Sequence, residues 1–283
     1  MGKIKLFTDS TSDLSKELIE KYDIQIIPLY ITMDEKSYKD RIDVTSEEII
    51  KWCNDNKTTP KTSAVGIEDT VELLRPFVEE GDDIIYIGIS EDMSTTCNVV
   101  RLAASELDYD RVFVINSMSL STGIGLQVLR AADMIEEGRT AEEIYERIND
   151  TRTDIKASFV VDTLTFLARG GRCSSASALV ANTLQIHPRI EVNMGKMGVG
   201  EKYRGKMGKV LLKYAQEMEA DLLKADKKRV FITHSPISRE LAQPIVDYVK
   251  SLNYFDEVIE TDAGGVITSH CGESTLGVLF YAK

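Results

Sequence analysis

Ile84-Ile85-Tyr86-Ile87-Gly88-Ile89 runs without a break into Ser90-Glu91-Asp92-Met93-Ser94-Thr95-Thr96. The first run, short and almost wholly apolar, reads as a buried strand. The hydroxyls after it open a helix predicted from Ser94 to Leu107, because Ser and Thr oxygens accept hydrogen bonds from the free amides of a first turn. The same pattern recurs on either side. Upstream, Ile4-Lys5-Leu6-Phe7 is a strand, and Leu14, Leu18, Ile19 and Tyr22 follow at helical spacing. Downstream, Val112 to Ile115 is a strand, and a helix runs from about Thr122 to Glu137 and stops at Gly138. Ile24 to Ile31 reads as one extended segment, with Pro28 marking an edge or a bend. Thr45 with Glu48, and Thr140 with Glu143, are capping boxes for two more helices.

Strands that alternate with helices form a parallel sheet covered by helices, with ligands beyond the carboxyl ends of the strands. The second half changes character. Strands are predicted at Ala157 to Val161, Val230 to Thr233, Glu257 to Glu260 and Leu276 to Tyr281. Helices are predicted at Lys209 to Leu223 and Glu240 to Leu252, and glycines crowd the loops from Gly170 to Gly208. The expected fold class is α/β with two domains. Residues 1–152 form an N-terminal Rossmann-like parallel sheet with helices on both faces. Residues 153–283 form a C-terminal α/β domain with a mixed, partly antiparallel sheet.

The net charge of −12 over 283 residues repels phosphate backbones, which argues against nucleic acid as a partner. Cys53, Cys97, Cys173 and Cys271 stand far apart without metal-ligand spacing, so reduced thiols and no metal are expected. The N-terminus leads directly into a strand, and no apolar run approaches the ~18 residues of a membrane span. A soluble, cytoplasmic protein is the expectation.

Several polar segments admit two readings. Thr8-Asp9-Ser10-Thr11-Ser12-Asp13 either caps the helix after the first strand or forms part of a polar site. Ser90 to Thr96 either caps its helix or helps hold an anion at the helix N-terminus. His270 is either a structural imidazole or a ligand contact. Gly200-Glu201-Lys202-Tyr203-Arg204-Gly205-Lys206 matches a phosphate-binding loop, but Met207 stands where a magnesium-binding Ser or Thr is required. That segment is better read as a basic surface with Lys196 and Lys209. It suits an acidic partner, phosphate or an anionic membrane, or simply solvent.

Taken in order, these segments resemble the DegV family, the fatty-acid-binding subunits of bacterial fatty acid kinase. The resemblance rests on Thr8 to Leu14, Ile27-Pro28-Leu29, Tyr38-Lys39-Asp40, Thr62-Ser63, Ser94, Phe166 to Arg172, Gly195 to Arg204 and His270-Cys271-Gly272. It implies an apolar tunnel between the two domains that holds one long-chain fatty acid, with no other cofactor. It implies that Thr62, Ser63, Ser94, Thr95 and His270 surround the carboxylate. It further implies that Arg172 and Arg204 meet a partner or, transiently, a membrane surface. On this reading the chain is non-catalytic, and a separate ATP-binding kinase subunit makes the acyl phosphate. This chain differs from the family pattern in having Thr95 in place of glycine and Glu273-Ser274 in place of Pro-Gly. Two other readings stay open. One is a stand-alone enzyme on a small acyl or phosphorylated substrate, using Ser94, His270 and Asp9. The other is a lipid-responsive interaction protein.

Overall fold

The computed structural model describes residues 2–177 and 186–283. In chain order its strands are β1 (Ile4–Asp9), β2 (Gln25–Ile27), β3 (Tyr30–Met33), β4 (Lys36–Lys39), β5 (Lys61–Ser63), β6 (Asp83–Gly88) and β7 (Val112–Asn116). There follow β8 (Ile155–Val160), β9 (Ile186–Asn193), β10 (Lys196–Arg204), β11 (Arg229–His234), β12 (Glu257–Asp262) and β13 (Leu276–Tyr281).

The buried run at Ile84 becomes the interior strand β6 of a four-stranded parallel sheet ordered β2-β1-β6-β7. Its side chains alternate between two cores. Ile84 and Tyr86 pack with Phe7 against the helices Ile67–Glu79 and Thr96–Glu106. Ile85 and Ile87 pack with Leu6 on the opposite face, against the helices Thr122–Glu136 and Ala141–Thr151. Helices therefore cover both faces, as the strand–helix alternation predicts. Both capping boxes form, each with reciprocal side-chain and backbone bonds.

The second sheet has six strands, ordered β10-β9-β8-β13-β11-β12, all antiparallel except β11 beside β12. The helix Thr122–Glu136 lies between the two sheets and contacts β1 and β6 on one side and β8, β11 and β13 on the other. Ten of its fifteen residues are buried, as a helix enclosed on all sides requires. The predicted helix Lys209 to Leu223 divides at Met218, whose amide turns to the Ala215 carbonyl.

The predicted extended segment Ile24 to Ile31 bends at Pro28, as that proline signalled, and forms two strands. It breaks at Pro28-Leu29, so that β2 joins the parallel sheet while β3 starts a separate three-stranded antiparallel sheet ordered β4-β3-β5. Pro28 has no amide to give a ladder, and the Leu29 amide donates instead to Ser10 Oγ at 3.1 Å. Against this small sheet packs a short helix, Gly265–Cys271, from near the end of the chain. The glycine-flanked sequence around His270 does not announce that helix. Among the described residues, no helix is long and apolar enough to cross a membrane.

Candidate functional site

Three distant segments meet beyond the carboxyl end of β6. Strand β5 brings Thr62 and Ser63, the loop after β6 brings Ser94 and Thr95, and the helix Gly265–Cys271 brings His270. All five line one cavity of about 400 Å³, whose other walls include Leu29, Ile89, Met93, Leu120, Met197 and Ile267.

At its polar end, Thr62 Oγ1 and His270 Nε2 are hydrogen-bonded at 2.8 Å. The other ring nitrogen, Nδ1, is buried without a partner among the described residues. It faces Gly170, where any Cβ would overlap it, so only glycine lets the chain pass this close. A buried N–H without an acceptor is costly, whereas an unused lone pair costs less. This pattern assigns the proton to Nε2, which donates to Thr62 Oγ1. The Thr62 hydroxyl hydrogen is then free to donate to a third group in the cavity. Burial, and then the neighbouring Arg172 cation, push the His270 imidazole down to about 4. The ring is neutral at pH 7 and works as a hydrogen-bonding group. Among the three histidines of the chain, His270 should show an NMR titration midpoint near pH 4. A midpoint near its ordinary ~6.5 would refute the buried, neutral ring.

Ser94 and Thr95 stand at the start of the helix Thr96–Glu106, with Thr95 as its N-cap residue. Ser94 Oγ pairs with Thr96 Oγ1 at 2.8 Å. The Thr95 side chain is exposed and makes no capping bond, so its hydroxyl is uncommitted. The positive end of this helix therefore abuts the cavity, an arrangement that favours an anion. Side-chain charges agree. The rim carboxylates Glu91 and Asp92 are paired with Arg101 at 2.6 Å and Lys196 at 3.5 Å. Arg172, also on the lining, has no ion-pair partner among the described residues. Its guanidinium donates to the carbonyls of Gly170 at 2.8 Å and Met93 at 3.4 Å.

Leu120, Ile267 and Cys271 are shared with a second, inner chamber of about 20 Å³ that also borders Phe159, Ala263, Gly277 and Leu279. Hydroxyls on its wall are committed elsewhere. Ser121 donates to Asp13, Thr233 pairs with Thr122 and Thr261, and Thr275 donates to the Cys271 carbonyl. The outer cavity is wide, with its hydroxyls and imidazole gathered at one end, and the inner chamber behind Leu120, Ile267 and Cys271 is narrow and mainly apolar. A chain that enters the inner chamber must push its side chains apart.

Arg204 lies apart from the cavity, exposed on β10, with Lys202 beside it and Lys206 and Lys209 exposed just beyond. Gly200 to Arg204 belong to that strand rather than to a strand–loop–helix turn, which removes the phosphate-loop reading. Glu273 is exposed and off the cavity lining. Ser274 adopts φ 57°, a left-handed conformation that glycine would take without steric cost. Among the described residues, no hydrogen bond joins Ser94 or Asp9 to His270, as a nucleophilic triad would need. Asp9 is engaged with Thr11, Tyr86 and the Ile89 amide. Among these residues, too, no group of three or more His, Cys, Asp or Glu is placed to hold a metal ion.

Comparison with known proteins adds independent findings. The model of the family described as "Uncharacterised protein, DegV family" matches residues 3–283. A DegV domain-containing protein of Clostridium perfringens is 34% identical over 283 residues, which cover 100% of this chain and 99% of that one. A Thermus thermophilus DegV family protein, described with fatty acid binding, aligns with a TM-score of 0.90 at 29% identity, over 99% of this chain and 100% of its own. DegV of Bacillus subtilis, a fatty acid binding protein, aligns with a TM-score of 0.87 at 27% identity, over 100% of both chains.

Proposed function

The chain belongs to the DegV family, and from that premise we propose that it binds one long-chain fatty acid and presents the carboxylate to a partner ATP-dependent kinase. The observation that carries this reading is a cavity with hydrogen-bond donors gathered at one end that shares a wall with a narrow apolar chamber. A fatty acid pairs the same two features. Each buried methylene contributes about 0.8 kcal/mol, so sixteen carbons offer on the order of 10 kcal/mol gross before ordering costs. The carboxylate needs replacements for the water it loses. The Thr62 hydroxyl, oriented by His270, supplies one, and Ser94, Thr95 and Ser63 stand around the same space. Arg172 supplies the compensating positive charge.

A carboxylate is already a nucleophile at pH 7, so this chain needs no general base of its own. Its task is to hold that group at the mouth, in line with a γ-phosphate on the kinase. The attacking carboxylate oxygen forms the new P–O bond as ADP leaves, giving an acyl phosphate. Arg172 at the mouth and Arg204 on the basic strand are the proposed contacts for that partner, or for a membrane surface.

Protein purified from bacteria should release fatty acid into an organic extract, identified by mass spectrometry. Delipidated protein should take up oleate. Thr62→Val or His270→Ala should weaken uptake roughly 10- to 100-fold, the scale of a lost hydrogen bond to a charged group. An extract free of lipid together with no uptake of oleate or palmitate overturns the proposal.

A further inference from the structure

The helix that carries His270 begins where two carboxylates from the first forty residues reach it. Its N-cap residue, Gly264, has no side chain to cap with. The Gly264 amide donates to Asp13 Oδ1 at 2.7 Å, and the Gly265 amide donates to Asp40 Oδ1, also at 2.7 Å. Arg41 completes the grip. It donates to the carbonyls of Asp262 and Leu14 and lies 3.6 Å from Asp13 Oδ1. Ser46 Oγ donates to the Ala263 carbonyl at 2.8 Å. Asp13 and Arg41 both hold left-handed backbone, with φ of 52° and 63°. Such conformations persist in non-glycine residues only where their surroundings enforce them.

The grip leaves no slack. A Cβ on Gly264 would press on the Arg41 side chain at 2.8 Å, and one on Gly265 would press on Ile49 and Ile31. His270 lies five residues beyond Gly265, less than two helical turns. At that far end it meets Thr62. Asp40 follows β4 directly and Thr62 sits in β5, two strands of the same three-stranded sheet. One small sheet therefore holds the helix at both ends, and Asp13 ties the start of the helix to the parallel sheet. A local Ser or Asn could satisfy the same amides without burying two ionisable groups at 0% and 1% exposure. What the distant carboxylates add is a fixed position relative to Thr62.

We propose that Asp13 and Asp40 are positioning residues that act through His270, fixing the imidazole where it orients the Thr62 hydroxyl toward the ligand. This rests on the fatty acid reading of the cavity. The test is calorimetric titration of delipidated protein with oleate, combined with NMR titration of His270, whose resonance His270→Gln assigns. Asp40→Ala should weaken oleate binding roughly tenfold, the scale on which orienting groups behind a binding residue act. It should also move the His270 midpoint up from about 4 toward its ordinary range as the ring loses its burial. Asp40→Asn keeps the Oδ1 acceptor and should stay near wild type in both readouts. That separates the hydrogen bond from mere presence of a charge, and covers the case in which the alanine variant fails to fold. Asp82→Asn alters a buried carboxylate that caps the Lys3 amide far from the helix and should leave both readouts unchanged. The proposal falls if Asp40→Ala binds oleate as wild type does with His270 unmoved. It falls equally if Asp82→Asn costs as much affinity as Asp40→Ala. A wild-type protein that ignores oleate would remove the ligand reading, while the His270 midpoint would still report on the clamp.

Discussion

Ile267→Trp is expected to lower oleate affinity on the order of a thousandfold while sparing octanoate. Ile267 borders both the outer cavity and the inner chamber and is only 9% exposed. An indole there closes the junction. A short acid, whose tail ends in the outer cavity, keeps its contacts. A long acid must leave its terminal carbons in water or fold them back. The thousandfold factor, about 4 kcal/mol, corresponds to about five excluded methylenes at ~0.8 kcal/mol each, a length of tail for which the inner chamber has to open in the wild type. Overpacking should cost the protein itself about 1–3 kcal/mol of stability, so thermal denaturation belongs beside the binding measurements. Oleate bound at wild-type strength by a folded Ile267→Trp variant would show that the tail takes another route.

The second large effect concerns stability against pH. Asp13 is fully buried. That burial, opposed by Arg41 and by hydrogen bonds from Ser121 and the Gly264 amide, and assisted by Asp40, pushes its carboxyl up to about 7. The other titratable neighbour, the Cys271 thiol, is itself pushed up by burial and stays neutral in this range. In the unfolded chain Asp13 titrates near ~3.9. Between those two values the native protein holds a proton that the unfolded chain has lost, so stability falls as pH rises through this window and levels off above it. Three units correspond to about 4 kcal/mol. Asp13→Asn removes this titration and keeps one acceptor for the Gly264 amide. Urea unfolding at pH 4.5, 6 and 7.5 should show wild type losing about 3 kcal/mol of that relative to the variant as pH rises. His270, pushed down to about 4 by its burial and by Arg172, contributes the opposite slope below its ordinary value in both proteins and cancels in the comparison. Parallel pH profiles would contradict an ionisable group of this kind at position 13.

What the sequence made legible is what has a local signature. The apolar runs of β1, β6 and β7 and the helices between them announce a parallel sheet, and both capping boxes appear where Thr and Glu stand three apart. Strands β4 and β5 could not be read that way. Lys36-Ser37-Tyr38-Lys39 and Lys61-Thr62-Ser63 are short, largely exposed and polar, with no alternation to mark a buried face. The helix Gly265–Cys271 was equally hidden, because it is seven residues long and almost wholly buried, so no amphipathic period shows. Ser94 and His270 were legible as residues with two readings, Thr62 entered through family resemblance, and the fold does bring the three to one cavity. The hydroxyl and carboxylate run at Thr8 to Asp13 was legible as helix caps or as a polar site. What could not be read was Asp13 and Asp40 as anchors, since their partners lie 251 and 225 residues away and leave no trace in spacing. The apolar gatekeepers Leu120 and Ile267 look in sequence like any other core residue.

The placement of β13 between β8 and β11 bears on how the protein is made. Residues 276–281 form an interior strand, so a nascent chain on the ribosome has a gap in the middle of this sheet until residue 281 has emerged. The parallel sheet, whose strands are complete by residue 116, can organise long before. Chaperone dependence should therefore concentrate after β11 is translated and before β13 emerges, when the edges of β8 and β11 that β13 will join are still unpaired, and a ribosome stalled before residue 276 should display a half-formed, aggregation-prone product.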